Sequence, residues 1–94
     1  MTTYVISEVE IRPGPALDEY RRLAAASIER HGGRYLVRGG DLEVLEGHWS
    51  GAAIVVAFDS ADQARAWYRS DDYALALKVR DDALSRNLIL VEGV

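Results

Sequence analysis

The chain contains no cysteine among its 94 residues, so disulfides, thiolate metal sites and cysteine nucleophiles are excluded. It has only two histidines, His31 and His48, and neither stands in a carboxylate pattern typical of a zinc site. No apolar run approaches the length that crosses a bilayer. We therefore expect no metal, no cofactor and no membrane partner.

Other functional classes lack their sequence signals. Eleven basic residues against fifteen acidic ones give a net charge of -4, and no basic run indicates nucleic acid as a partner. No phosphate-binding loop, dinucleotide fingerprint or nucleophile elbow is present. The amino terminus lacks a positive segment and reaches Glu8 and Glu10 too early for a signal peptide, which predicts a cytoplasmic protein.

What is present follows a regular order of strands and helices. Tyr4 to Ile11 alternates between two faces and predicts a strand. Pro13-Gly14-Pro15 then ends the strand and begins a helix, for which Gly32 is the expected left-handed stop. The buried stripe of this helix is predicted to contain Leu17, Tyr20, Ala24, Ile28 and His31.

The middle of the chain is predicted to be extended. Arg34 to Arg38 forms the second strand, and Gly39-Gly40 permits a turn or bulge. Leu42 to Trp49 is predicted to continue in extended form. The continuous apolar run within Ala53 to Phe58 indicates a central strand.

Two serines mark the start of helical segments in the second half. Ser60, with Gln63 three residues later, caps one segment, and Ser70, followed by acidic residues, caps the next. Asn87 to Val91 is the last predicted strand. The order is βαββαβ with the second helix broken at Ser70, which predicts a single ferredoxin-like α+β domain over residues 1–94, with an antiparallel sheet and both helices on one face.

The other sheet face then lacks a cover. Ile54 to Phe58 and Leu88 to Val91 offer apolar side chains to both sides, and helices cover only one. A large exposed apolar patch usually marks an interface. We therefore predict a homodimer, two-fold symmetric and joined through the open sheet face.

Two arginines are candidate ligand-binding residues. Helical spacing places Arg80 on the same stripe as Tyr73 and Leu77, so it is predicted to point inward, as a clamp for a substrate carboxylate or enolate. The structural alternative is an arginine that pairs with a carboxylate such as Glu46 or Glu8. Arg38 ends a strand beside two glycines and either binds a ligand or forms an ion pair within or between subunits.

Proton transfer has one candidate pair. Glu46 and His48 lie two apart on the predicted extended segment, hence on one face, as a general base and its orienting partner or as ordinary surface groups. Aromatic residues are predicted to line a ligand pocket as well as to pack the core: Tyr20, Trp67, Tyr68 and Tyr73.

Four segments together carry a resemblance to a known family: residues 32–40 (GGRYLVRGG), residues 45–47 (LEG), the Trp-Tyr-x-Ser-x-x-Tyr pattern over 67–73, and residues 91–93. They resemble the bacterial family catalogued as domain of unknown function 1330, in the dimeric α/β-barrel superfamily. The resemblance implies a ferredoxin-like dimer that forms an α/β barrel. Members of the superfamily include cofactor-free monooxygenases, haem proteins, isomerases and stress-responsive proteins, so the fold assigns no reaction.

The sequence departs from the family pattern at two places. Residues 50–53 (SGAA) stand where relatives often have a proline and an arginine, and Asp71 stands where proline is usual. Three functions stay open: a cofactor-independent enzyme acting on a small anionic or aromatic metabolite, a non-catalytic small-molecule-binding or stress-response module, and a purely structural homodimer.

Overall fold

The computed structural model describes residues 1–94 and contains four strands and three helices. In chain order these are β1 (Thr3–Ile11), α1 (Pro15–Arg30), β2 (Arg34–Arg38), β3 (Ala52–Phe58), α2 (Ala61–Tyr68), α3 (Asp71–Ala83) and β4 (Leu84–Glu92). The predicted βαββαβ order, with its broken second helix, is confirmed.

The four strands form one antiparallel sheet in the order β2-β3-β1-β4. β1 lies in the centre because it pairs with β3 on one side, where Val5 faces Val56, and with β4 on the other, where Val5 faces Leu90. This is the ferredoxin-like arrangement, with the helices packed on one face of the sheet.

Serine caps set the boundaries of α2 and α3. The Ser60 hydroxyl accepts a 3.1 Å hydrogen bond from the Gln63 amide, and the Ser70 hydroxyl accepts one of 3.1 Å from the Tyr73 amide. Each bond satisfies a helix-start N–H that would otherwise lack a partner. The break between the two helices therefore has a local cause, which the sequence predicted correctly.

The core lies between the sheet and the helices. Alternate residues of β1 are buried, and the fully buried Phe58 and Tyr73 pack around the Trp67 ring, whose centroid lies 4.3 Å from that of Tyr73. On α1 the predicted buried stripe is correct except at its last position, because Ser27 is buried while His31 is only partly covered.

Two boundary predictions are wrong. Leu42–Trp49 is not a strand: residues 39–51, here called the β2–β3 loop, leave the sheet after the Arg38 and Ile54 pair and make no ladder. β4 begins at Leu84, three residues before the predicted Asn87, since it follows α3 directly and pairs with β1 from Ile11 onward.

The sheet surface opposite the helices is here called the open face. By the register of the ladders it carries Tyr4, Ile6, Val37, Val55, Ile89 and Val91. Ile89 and Val91 are exposed, and so are the apolar residues of the neighbouring β2–β3 loop. None of the three helices combines the length and the apolar character that a membrane span requires.

Candidate functional site

A cleft opens between helix α1 and the helix-side face of the sheet. Its volume is about 500 Å³, and it continues inward into a further space of about 50 Å³. Apolar side chains of both layers form most of the walls, including Leu17, Ala24 and Ile54. The polar groups at its inner end and at its mouth distinguish it from an ordinary packing defect.

A guanidinium and two phenols meet at the inner end. Arg86 donates one hydrogen bond to the Tyr20 hydroxyl and another to the Tyr73 hydroxyl. The two hydroxyl oxygens lie 2.7 Å apart and share a hydrogen bond themselves. These three residues, here called the Arg86 cluster, come from three different elements.

The fold brings the cluster together by ordinary periodicity. Tyr20 belongs to the buried stripe of α1, and Tyr73 lies in the first turn of α3, where the Ser70 cap fixes the backbone. Arg86 alternates with Leu84 and Leu88 on the helix-side face of β4. All three side chains therefore point into the layer between sheet and helices.

The charge of Arg86 has no anionic partner. None of the salt bridges in the structure includes Arg86, and no Asp or Glu lines the cleft or its inner extension. Burial by itself disfavours the charged guanidinium, but the adjacent Tyr20 and Tyr73 oxygens outweigh it, and the pKa of Arg86 is raised. A half-buried, permanently charged cation thus lies beside an apolar cleft.

The phenols of the cleft remain protonated. Burial raises the pKa of the Tyr20 hydroxyl far above its ordinary value, and the neighbouring Tyr73 raises it further. Burial also raises the pKa of the Tyr35 hydroxyl, which lines the same cleft from β2. Both groups therefore act as neutral hydroxyls, able to donate a hydrogen bond, and not as bases.

Arg38 lies at the mouth. Its guanidinium carbon is 4.3 Å from the centre of the Tyr35 ring, a cation–π contact, and it forms no salt bridge. The exposed Arg21 lines the same opening from α1. The mouth and the inner end of the cleft are therefore both positive, although the chain as a whole is acidic.

Four of the predicted site residues meet around this cleft: Tyr20, Arg38, Tyr73 and Trp67. Trp67 borders the inner space, and its indole N–H donates a 3.0 Å hydrogen bond to the Ser27 hydroxyl. Its N–H is thereby used within the core, so Trp67 offers the cleft an apolar ring edge.

Tyr68 and Arg80 lie elsewhere. Tyr68 is exposed and borders a groove beside β4 with Leu88 and Leu90. The predicted inward direction of Arg80 is not observed, because its guanidinium bonds the exposed Asp81 carboxylate at 3.2 Å at the protein surface. Neighbouring Asp81, and neither Glu46 nor Glu8, is its partner.

Glu46 and His48 are not brought to the cleft either. Both are exposed in the β2–β3 loop, and Gly47 between them has a φ of 80°, so the segment bends there instead of extending. His48 Nε2 lies 3.1 Å from the Ser50 hydroxyl. Strand alternation therefore does not relate these two side chains, although both line one hollow of the loop, away from the cleft.

Arg86 and Tyr35 were missed from the sequence. The predicted last strand begins at Asn87, so Arg86 lies outside it, although Arg86 is in phase with Leu84 and Leu88 on the observed strand. An arginine on the apolar face of an alternating strand is the signal that would have identified it.

A family model described as "Domain of unknown function (DUF1330)" matches residues 2–94. Among curated proteins, none matches the chain.

Several solved structures are similar. A protein of unknown function from Rhodopseudomonas palustris, RPA0582, is 25% identical with a TM-score of 0.76, over 99% of this chain and 82% of that one. SnoaB from Streptomyces nogalater is described as a cofactor-independent oxygenase. It is 15% identical with a TM-score of 0.63, over 99% of this chain and 92% of that one. A dimeric ferredoxin-like protein of unknown function from Thermobifida fusca is 18% identical with a TM-score of 0.54, over 96% and 89%. The last two likenesses show the fold alone.

Proposed function

The chain belongs to the domain of unknown function 1330 family, whose name assigns no activity, and we propose that its cleft binds a small anionic metabolite with an apolar body. The anion would lie at the Arg86 cluster. The apolar part of the ligand would lie between α1 and the sheet. Arg38 would attract the ligand at the mouth.

The observation that carries the proposal is the unpaired charge of Arg86. Charged side chains that leave water are normally paired with an opposite charge, because desolvation of an uncompensated charge is costly. Arg86 has two phenols instead of a carboxylate. An anionic ligand would supply the missing charge, and a guanidinium suits a planar oxyanion because its N–H groups can bind two oxygens at once.

The size and walls of the cleft support a small, partly apolar ligand. Pockets for small molecules range from about 300 to 1,000 Å³ and are lined largely by apolar side chains with a few polar groups. The cleft, at about 500 Å³, fits that range. Its aromatic members, Tyr20 and Tyr35, suit a flat ligand such as an aromatic acid.

The test is calorimetric titration with benzoate and, as its neutral isostere, benzamide. We expect the native protein to bind benzoate and to discriminate against benzamide. Arg86→Met should weaken benzoate binding by about ten- to a hundredfold, since a hydrogen bond to a charged group contributes about 1.5–3 kcal/mol. Equal binding by the native protein and Arg86→Met would contradict the proposal.

Arg22→Met is the matched control. Arg22 is an exposed arginine of α1 that pairs with Glu19 at 2.7 Å, away from the cleft lining. Its replacement removes the same charge from the molecule as a whole, so it separates the local role of Arg86 from a general effect of net charge. It should leave benzoate binding within about twofold of the native value.

A cofactor-independent enzyme is the second candidate, favoured by the Tyr20 hydroxyl at the inner end of the cleft. Stabilisation of a developing oxyanion by preorganised donors is a common source of catalysis. SnoaB, similar in fold, is described as an oxygenase of this kind. If a ligand binds saturably and is not converted to a product, the result would favour a binding module over an enzyme.

We also propose the homodimer predicted from the open face. Exposed apolar residues lie on both edge strands of that face, Val37 on β2 and Ile89 on β4, and in the β2–β3 loop, where Leu45 is exposed. The Thermobifida fusca neighbour is described as dimeric. Two sheets packed face to face would cover both open faces and give the dimeric α/β barrel. The predictions of a single domain over residues 1–94 and of a cytoplasmic location are kept as predictions.

A further inference from the structure

We propose that the cleft selects the deprotonated form of a weakly acidic ligand, a phenolate or an enolate, and thereby makes a phenol or enol bound there more acidic, with Tyr20 as the hydroxyl that donates to the oxyanion. This inference rests on the proposed binding function. The proton released by the ligand passes to solvent through the open mouth.

Counting hydroxyl hydrogens identifies the donor. Tyr20 and Tyr73 each have one, and both oxygens already accept from Arg86. Since the oxygens lie 2.7 Å apart, one hydroxyl donates to the other, and one hydrogen is left without a partner in the cluster. Tyr73 is fully buried, whereas Tyr20 lines the cleft. The arrangement that leaves no buried hydrogen unpaired is therefore Tyr73 donating to Tyr20, and Tyr20 donating into the cleft.

The hydrogen bonds that Tyr20 accepts strengthen the one that it can donate. Its oxygen receives one hydrogen bond from a charged guanidinium and one from a phenol. Hydrogen bonds in such a chain polarise one another, and the effect is larger in a low-dielectric interior than in water. A hydroxyl polarised in this way binds an oxyanion more strongly than it binds a neutral hydroxyl oxygen.

The other polar side chains of the cleft also donate. The Tyr35 hydroxyl has no hydrogen-bond partner in the structure, and Arg38 and Arg21 have donors only. No Asp, Glu, Asn, Gln or His side chain lines the cleft or its inner extension. The only side-chain acceptors that a protonated ligand would find are neutral hydroxyl oxygens, those of Tyr35 and Ser7, whereas an anion would also meet the charged guanidinium donors.

The charges that face Tyr20 act in the same direction. β4 contributes Arg86, β2 contributes Arg38 and the neutral Tyr35, α3 contributes the Tyr73 hydroxyl, and α1 itself contributes Arg21. A positive surrounding in an apolar cleft favours the anionic form of a bound acid. A phenol bound there would consequently lose its proton at a lower pH than in water.

The experiment uses para-nitrophenol, whose phenolate absorbs visible light and whose neutral form does not. The bound fraction is followed calorimetrically over a series of pH values around the pKa of the free probe, while absorbance gives the ionisation of the bound probe. We expect the phenolate to bind at least about tenfold more tightly than the phenol. Tyr20→Phe should reduce that preference about tenfold or less while retaining binding, because Arg86 remains.

Tyr4→Phe is the matched control, because it removes a phenol hydroxyl from the open face of the same sheet. This variant should keep the native preference for the phenolate. Binding of both forms with equal affinity, or preference for the neutral phenol, would overturn this inference while leaving the binding function in place. No binding of either form, together with no binding of benzoate, would instead contradict the proposed function. A preference that survives intact in Tyr20→Phe, with unchanged circular dichroism and melting temperature, would show that Tyr20 is not the donor.

Discussion

The hydroxyls of Tyr20 and Tyr73 lie 2.7 Å apart although 53 positions separate them in the chain. One residue is part of α1 and the other begins α3, and both accept a hydrogen bond from the same guanidinium. This contact couples the two helices to the last strand. It also means that the polar end of the cleft is part of the core.

Tyr73→Phe tests that coupling. The substitution keeps the ring and removes a buried hydroxyl that both Arg86 and Tyr20 contact, so it leaves part of a charged group without a partner. We expect the free energy of unfolding to fall by about 1–3 kcal/mol in urea denaturation. Tyr68→Phe, at an exposed position one helix away, should change it by less than about 0.5 kcal/mol. Similar values for the two variants would show that the cluster contributes nothing to stability.

Comparing Gly51→Ala with Gly39→Ala separates the energetic cost of a steric clash from that of backbone strain. Gly51 and Gly39 both have positive φ, of 80° and 70°, and lie at the two ends of the β2–β3 loop. A Cβ on Gly51 would lie 1.9 Å from the Val9 carbonyl oxygen, whereas a Cβ on Gly39 meets nothing within 4 Å. Gly39→Ala should therefore cost only the left-handed penalty of about 1–2 kcal/mol. Gly51→Ala should cost more, because β1 must also shift, and equal melting temperatures for the two variants would contradict this.

Glu8 should make stability depend on pH. The Ser50 amide and then the Asn87 side chain donate to its carboxylate, at 3.0 and 2.9 Å, and these hydrogen bonds hold the pKa of Glu8 below its ordinary 4.5. The folded protein thus favours the ionised form more than the unfolded chain does. This contribution is present above pH 4.5 and is lost as the pH falls through the lower pKa of the folded state.

The measurement for Glu8 is a set of urea unfolding curves between about pH 7 and about pH 3. Glu8→Gln should lower stability at neutral pH and should reduce the loss of stability on acidification. Glu43→Gln, an exposed position in the β2–β3 loop, is the control and should follow the native curve. A Glu8→Gln protein with the native pH dependence would exclude this carboxylate as a source of acid sensitivity.

Ile89→Asp tests the proposed dimer. Ile89 is 55% exposed on the open face, and a charge there would be buried without a partner between two sheets. We expect the variant to sediment as a monomer at concentrations where the native protein is a dimer. Leu75→Asp changes a residue of similar exposure, 49%, on helix α3 away from the open face, and should stay dimeric. Dissociation by Leu75→Asp alone would place the interface on the helices instead.

The sequence by itself determined the order of elements, because that order depends on local chemistry. Strand alternation in β1, the apolar run of β3 and the serine caps at Ser60 and Ser70 act over a few residues each, and all of them correspond to the observed structure. The exposed apolar residues of the open face follow from the same patterns. So does the membership of Tyr20 and Tyr73 in the buried layer.

Only the tertiary structure decided which polar groups share a site. Arg86 becomes a candidate ligand-binding residue when β4, lengthened to Leu84 by its ladder with β1, directs it toward two phenols distant in the chain. Strand alternation does not relate Glu46 to His48, because the β2–β3 loop bends at Gly47 and has no strand to pair with, although both residues line one hollow of that loop. Helical periodicity does not determine the direction of the long Arg80 side chain. The adjacent Asp81 carboxylate holds its guanidinium at the surface. Local patterns determine which face a side chain occupies, whereas long-range strand and helix packing determines what it meets there.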